Sequence, residues 1–413
     1  MLLKTASESG TSSKTVSALM ANLLLIVFIN FVGIGALIPI LPFTVIDGLG
    51  HSEIVMTALL ASFAFAMFVA NPVLGRLSDR LGRRPVILFS LFVGTVAHFW
   101  FALTNDITQM FAARIVAGLA AGNIGVIQAI IADKTSPEDR ARTMGLLGAA
   151  IGSGFVLGPA LGGVLGGIGS GPVHQVPFLI AGLFSALSFG VAFRLTETGK
   201  TSASPSQRAS LSVYIRTLFS GHIGGYAAAF FCLNLAFAQV EASYVLLVRD
   251  LLGFGARQTG CLFTYIGVLI IIVQGGLIAR VVGIFGEMKT IASGVALLAV
   301  GQFVTVALAY NFLAGVPVGL GLVLLSTTLV CVGFAFTNPT LTSSASKAAR
   351  AEDMGGSLGF VQGCGSIGQV LGLVSAGPFY SIGGGVASFG FGGGITVVLL
   401  LIILATSRQP KPA

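Results

Sequence analysis

Charge is scarce in this sequence. Of its 413 residues only 9% are Asp, Glu, Lys or Arg and 55% are hydrophobic, whereas an ordinary soluble domain is about 25% charged. A water-soluble globular fold is excluded. Histidine is nearly absent too: the four residues His51, His98, His174 and His222 fall near the ends of apolar runs and far apart. Without a clustered His/Asp/Glu or Cys/His set, a membrane-embedded enzyme has no support, and neither a cofactor nor a metal is implied. The four cysteines, Cys232, Cys261, Cys331 and Cys364, show neither metal-ligand nor disulfide spacing. They read as small core residues.

What the chain has in abundance is apolar length. Runs of about 20 residues or more, each sufficient to cross ~30 Å of hydrocarbon as a helix, cover residues 20–44, 54–74, 85–104, 107–132, 142–168, 175–195, 222–248, 258–279, 290–310, 315–341, 355–381 and 384–406. Backbone polar groups are satisfied in lipid only by helices or closed barrels, so runs of this length predict an all-α integral membrane protein with twelve transmembrane helices. The first run is longer than a secretory signal core and lacks a small-residue cleavage pattern, and reads as a retained span.

The basic residues carry the topology. If the N-terminus is cytoplasmic and every run crosses, all but three of the 22 Lys and Arg fall in cytoplasmic segments; the exceptions are Arg114, Arg249 and Arg257. That is the asymmetry of the positive-inside rule, with both termini cytoplasmic in a cell membrane. The net charge of +8 is therefore a topology signal, and no soluble basic face exists to bind nucleic acid.

Between the sixth and seventh runs lies RLTETGKTSASPSQRASLSVYIR, residues 194–216, the longest polar segment. It implies a short tail (1–19), a six-helix half (20–195), a cytoplasmic linker (196–221), a second six-helix half (222–406) and a second tail (407–413). Two six-helix halves around a midplane site describe the major facilitator architecture. A weak internal echo agrees: GRLSDRLGRRP, residues 75–85, follows the second span, and ARVVGIFGEMK, residues 279–289, follows the eighth, with its Asp and most of its charge lost.

GRLSDRLGRRP resembles the signature loop of the major facilitator superfamily over its whole length. In residue terms, Gly75 would allow close helix approach, Gly82 would take positive φ in the turn, and Arg80, Arg83 and Arg84 would face anionic lipid or carboxylates. The resemblance implies a cytoplasmic gate in which Asp79 sits by the start of the eleventh span, near residues 354–357, and Arg83 pairs with the acid closing the fourth span, Asp133.

Three spans extend the resemblance. The fourth, FAARIVAGLAAGNIGVIQAIIAD, carries Arg114 in hydrocarbon, and a charge there is a functional hypothesis by default. It resembles the family's fourth-span motif, whose Arg contacts the first span and takes part in proton transfer; the alternative is a structural Arg bonded to carbonyls of spans 1 and 5. The fifth, GSGFVLGPALGGVLGG, repeats Gly154, Gly158 and Gly162 every four residues, a groove for another helix, with Pro159 free to bend it. With Gly163 it resembles the motif of the family's antiporters. The first span, INFVGIGALIPILP, and the loop IADKTSPEDRARTMG, residues 131–145, are similar to the tetracycline-efflux branch of drug:proton antiporters. Where that branch has an intramembrane Asp, this chain has Asn30.

Of the fourteen acids, Glu241 alone falls inside the membrane. It lies in FAQVEASYV, where Asn234, Ala238, Glu241 and Tyr244 or Val245 follow helical spacing as a stripe toward a cavity. Burial disfavours the charged form of a carboxylate, which suits a group that loads and releases a proton; the alternative is a permanent pair with Arg114. Gln274, Asn338, Gln362, Ser366 and Gln369 are further polar positions within spans. They serve either substrate contact, with Asn30, Asn234 and Tyr244, or interhelical hydrogen bonds. GCGSIG, residues 363–368, lacks the preceding strand of a dinucleotide site, and TGKT, residues 198–201, lacks the Walker glycine.

The resemblance implies a proton-coupled antiporter exporting an amphipathic organic molecule by alternating access, with a small organic substrate, protons and the lipid bilayer as partners and a single chain as the unit. The rival is an importer or facilitator of an organic anion or other metabolite, anchored by Arg114.

Overall fold

The computed structural model describes residues 2–135, 137–166, 175–195, 221–348 and 354–407, and among them the only regular structure is helical. The expected linker at 196–221 and the tail at 407–413 lie outside them, apart from their helical edge residues 221 and 407.

The helices are α1 (Leu2–Ala36), α2 (Glu53–Leu81), α3 (Arg83–Leu103), α4 (Ile107–Ala121), α5 (Ile124–Lys134), α6 (Pro137–Leu165), α7 (Gln175–Ala192), α8 (Gly221–Leu252), α9 (Ala256–Ile272), α10 (Ile278–Phe285), α11 (Glu287–Leu313), α12 (Leu320–Ala348) and α13 (Met354–Ser407). Eleven stretches among the described residues are long and apolar enough to cross a membrane, the last being Ser357–Thr406 with 50 residues. At 1.5 Å per residue such a helix would run about 75 Å, more than twice a hydrocarbon core. It is two crossings, divided where Gly383 (φ −145°, ψ 22°) and Gly384 (φ 56°, ψ −144°) leave helical geometry. The total is twelve.

Three spans depart from the straight helices that the hydrophobic pattern suggests, the eighth through the π-helical segment Val273–Leu277 between α9 and α10. The first ends its α-helix at Ala36, and passes through a turn containing Pro39 into a π-helical segment, Phe43–Gly48. Proline donates no N–H, so the regular ladder stops there. The fourth breaks at Gly122 and Asn123 between α4 and α5, where the Asn123 amide donates to Ser90 Oγ at 2.9 Å.

The chain forms two compact units, Met1–Thr44 with Phe65–Ser204, and Val45–Ala64 with Pro205–Ala413. The first unit is built on an apolar core that includes Leu23, Ile26, Ile87 and Ile127, and the second on one that includes Phe230, Leu233, Leu298 and Phe389. Residues 45–64 precede the linker yet pack in the second unit, where a Cβ on Gly377 would lie 2.7 Å from the Ile54 Cα.

In the first unit α1 and α6 touch backbone to backbone. A Cβ on Gly158 would stand 2.5 Å from the Val32 carbonyl oxygen and 2.8 Å from the Gly35 Cα, and one on Gly35 would stand 2.9 Å from Pro159 Cδ. Gly154 faces Phe31, Gly162 faces Ala36 and Gly163 is buried. The small-residue repeat is therefore the seam on which the first span lies.

Candidate functional site

At the end of the first unit that carries residues 75–85, Gly82 adopts φ 99° and ψ 154°, a conformation that favours glycine. It turns the chain from α2 into α3 and sets Arg83 inward. The Arg83 guanidinium is 2.7 Å from Asp79 and 3.4 Å from Asp133, and Nη1 donates to Ser78 Oγ at 2.6 Å. A nearly buried cation is thus held by two carboxylates and a hydroxyl, the compensation that burial requires. Arg84 donates to the Phe193 carbonyl at 3.3 Å, and Arg80 is exposed. A Cβ on Gly75 would meet no described atom within 4 Å, and the side chains of residues 354–356, expected beside Asp79, lie outside those described.

The second unit contains the same device with its charges exchanged. Gly286 repeats the turn at φ 80°, ψ 164°, and the residue after it, Glu287, accepts from Lys347 at 2.7 Å, Ser343 at 2.7 Å and Ser344 at 3.0 Å near the end of α12. Arg83 with Asp133 corresponds to Glu287 with Lys347. The charge that residues 279–289 had seemed to lose in sequence is reversed in sign, and its partner comes from a distant helix. Because the Lys347 side chain is 70% exposed, Lys347→Ala is expected to cost only ~0–1 kcal/mol. Glu287→Ala removes the acceptor of two hydroxyls and is expected to cost ~1–2 kcal/mol. Thermal unfolding of the two purified variants checks the order.

Within the spans of the first unit, Arg114 is buried on α4 with its guanidinium carbon 5.9 Å from the centre of the Phe101 ring, within cation–π range. Asn30 is buried on α1 and lines a small cavity with His98 of α3. His98 lies near the end of α3, as expected, and is buried at 5% exposure.

In the second unit Glu241 is half-buried on α8, and the Gln369 amide of α13 donates to its carboxylate at 3.3 Å. The half-buried positions of α8 in this region are Phe231, Asn234, Phe237 and Glu241, so the stripe keeps the expected Asn234 and Glu241 but passes through Phe237 in place of Ala238. Ala238, Tyr244 and Val245 are buried instead, and the Tyr244 hydroxyl is shared with Thr327 at 2.8 Å. Tyr244 is thereby tied to α12 within the second unit. Tyr244→Phe is expected to cost ~1 kcal/mol of stability with apparent substrate affinity unchanged in uptake assays.

Apolar wall is close at hand, because Phe237 stacks on Phe334 of α12 with centroids 3.7 Å apart. Asn234 bonds its own helix at the Phe230 carbonyl, 2.9 Å away, and its amide nitrogen would stand 2.9 Å from a Cβ on Gly365 of α13. Asn338 is half-buried one turn beyond Phe334, and Gln362 is exposed on α13. Gln274 is exposed in the π-helical segment Val273–Leu277 between α9 and α10. The geometry therefore joins Glu241 and Gln369 directly, sets Asn234 against the same helix, and leaves Gln274 exposed on a separate segment.

Sequence reasoning missed two groups. Gln239, two residues before Glu241, is fully buried and donates to the Gly372 carbonyl and to Ser375 Oγ, both at 2.8 Å, while accepting from Ser388 at 3.1 Å. It clamps α8 to α13, and its neighbour in FAQVEASYV drew attention only because it is charged. At the other end of the second unit Arg249 pairs with Asp47 at 3.0 Å and Asp250 at 3.3 Å, and Tyr380 donates to Asp250 at 2.6 Å. Opposite charges at the ends of separate spans were the available signal.

Against this geometry stand the known proteins. The sequence model of the Major Facilitator Superfamily matches residues 23–372. The chain belongs to the Major Facilitator Superfamily. Within the superfamily it is 33% identical to the class C tetracycline resistance protein of Escherichia coli over 67% of this chain and 70% of that protein. It is 28% identical to multidrug resistance protein 1 of Bacillus subtilis (strain 168), over 89% of this chain and 90% of the relative. The crystal structure of a D-xylose–proton symporter superposes with a TM-score of 0.76 at 15% identity, covering 93% of this chain and 96% of the other, a likeness of fold alone. The twelve-span architecture is that of the superfamily, in two pseudo-symmetric six-helix halves, and the chain is a multi-pass membrane transporter and not an enzyme.

Proposed function

We propose that this transporter exports an amphipathic organic molecule in exchange for protons, and that Glu241 carries the proton. The observation that supports this most is the position of Glu241: a carboxylate within a span, half-buried, bonded to Gln369, on the helical face that also presents Phe237 and Asn234. The carboxylate can be neutralised by a proton or by a cationic substrate, and the aromatic wall suits an apolar body. Asn30, Asn234, Asn338, Gln362 and Gln369 supply hydrogen bonds to uncharged groups, and Arg114 is the second charged group of the pathway. The names of the relatives, which are tetracycline and multidrug resistance proteins, favour a drug-like compound or metabolite moving outward.

In this reading residues 20–195 and 222–406 are the two halves, joined by a cytoplasmic linker at 196–221, both termini are cytoplasmic, and one chain is the working unit. Arg83 with Asp79 and Asp133 closes the cytoplasmic side, and the seam of Gly158 and Gly162 holds the first span during the cycle. Uptake of a fluorescent cationic dye into inside-out vesicles tests the proposal. A lumen acidified by one pH unit is expected to drive accumulation of about tenfold for one exchanged proton; uptake indifferent to the gradient would point instead to the organic-anion facilitator anchored by Arg114.

A further inference from the structure

Helices α1, α3 and α7 and the α4–α5 junction of the first unit line a cavity of about 10 Å³, the room that a single water needs. Its polar lining is Asn30, Ser90, His98, Asn123 and Ser185. Most of these groups are already engaged: Asn123 donates to Ser90, Ser90 donates to the Ile87 carbonyl, and Ser185 receives Thr95, at 2.9, 2.9 and 3.2 Å. His98 is half engaged. Its Nδ1 lies 2.7 Å from the Gly94 carbonyl oxygen, which can only accept, so Nδ1 carries the hydrogen and Nε2 of the neutral ring is an acceptor. Nε2 is buried and meets no donor among the described residues, and a buried acceptor without a donor is costly.

We propose that this cavity is a binding site for one water molecule, which donates to His98 Nε2 and accepts from the amide of Asn30, so that His98 is a positioning residue for Asn30. The chemistry selects water over a halide, which accepts from the amide but cannot donate to Nε2. A three-atom bridge of this kind ties α3 to α1 and fixes which way the Asn30 amide points. The water site stands on the cavity alone; the effect on transport rests on the substrate role proposed for Asn30.

The test uses the full chain in lipid nanodiscs with ¹⁵N-labelled histidine, the His98 signal being assigned by its loss in His98→Gln. The expected spectrum is the Nδ1–H tautomer, with the Nε2 resonance shifted as for a hydrogen-bonded acceptor and polarised by transfer from water, and with that transfer weakened in Asn30→Leu. An Nε2–H tautomer, or a free lone-pair shift without water transfer, would overturn the site. In uptake assays His98→Phe should raise the apparent KM by ~3–10-fold, the worth of one hydrogen bond, with kcat kept, and His98→Gln, whose amide oxygen reaches the Nε2 position, should restore it to within about twofold of the native value on the same scale. An unchanged KM in His98→Phe beside a positive water signal refutes the positioning role while leaving the site. Should His98→Phe fail to fold, the native and Asn30→Leu spectra decide the water site and the KM of His98→Gln decides positioning, a rise beyond tenfold refuting it. A native protein that shows the water signal but no proton-dependent transport would refute the transport reading and not the site.

Discussion

Glu241→Gln is expected to abolish accumulation driven by a pH gradient while leaving exchange of substrate for substrate intact. Gln keeps the shape of the acid and the ability to bond Gln369, but it carries no charge and cannot take up and release a proton. With one proton per cycle, a gradient of one pH unit is worth about 1.4 kcal/mol, or tenfold accumulation, and the variant should fall to a ratio of about one on that scale. Counterflow requires no net proton movement, so labelled substrate should still exchange at a rate near that of the native protein. Paired measurements of gradient-driven uptake and counterflow in proteoliposomes make the comparison. Coupling that survives in Glu241→Gln would remove Glu241 from the proton path.

A large structural effect is expected at Gly158. Its Cβ would stand 2.5 Å from the Val32 carbonyl oxygen and 2.9 Å from the Ala36 nitrogen, and these are backbone atoms that no rotamer change can move aside. Gly158→Ala is expected to cost at least the ~1–3 kcal/mol typical of overpacking, and Gly158→Leu to yield no monodisperse protein, because α1 and α6 would have to separate along their shared seam. Gly152 provides the control on the same helix. A Cβ there meets no described atom within 4 Å, so Gly152→Ala is expected to be neutral or to stabilise by ~0.5–1 kcal/mol through reduced backbone freedom. Fluorescence size-exclusion profiles against temperature distinguish the three variants.

Much of the architecture was legible in the sequence because membrane physics leaves few choices. The apolar runs located the twelve spans, and the boundary expected between residues 381 and 384 coincides with the kink at Gly383 and Gly384. Interruptions within spans were harder to see. The break at Gly122 and Asn123 depends on where the Asn123 amide finds Ser90, a tertiary fact that helical periodicity does not contain. Residues 45–64 likewise pack with the second unit although they precede the linker, and hydropathy carries no information about which bundle a span end joins.

The site was legible where charge marked it. Glu241 and Arg83 stood out as ionisable groups in unusual places, whereas Gln239, a neutral amide two residues from Glu241, makes three bonds to α13 and drew no notice. At Tyr244 the question is one of phase. Helical spacing alone allows a stripe through Ala238 and Tyr244 or through Phe237 and Phe231, and the choice is made by the bond from Tyr244 to Thr327 and by the stacking of Phe237 on Phe334. The reversed pair of Glu287 and Lys347 was hidden for a related reason, since a charge exchanged between distant helices looks in sequence like a charge lost.

The central claim, proton exchange for an outward-moving organic molecule, is tested most directly by following protons while substrate alone provides the driving force. Proteoliposomes containing the purified full chain and a lumenal pH dye, with equal pH on both sides and membrane potential clamped, are given an inward substrate gradient. The lumen should become more alkaline as substrate enters and protons leave, in the native protein and not in Glu241→Gln. Acidification of the lumen, which would mean symport, or substrate entry with no change in lumenal pH would contradict the account.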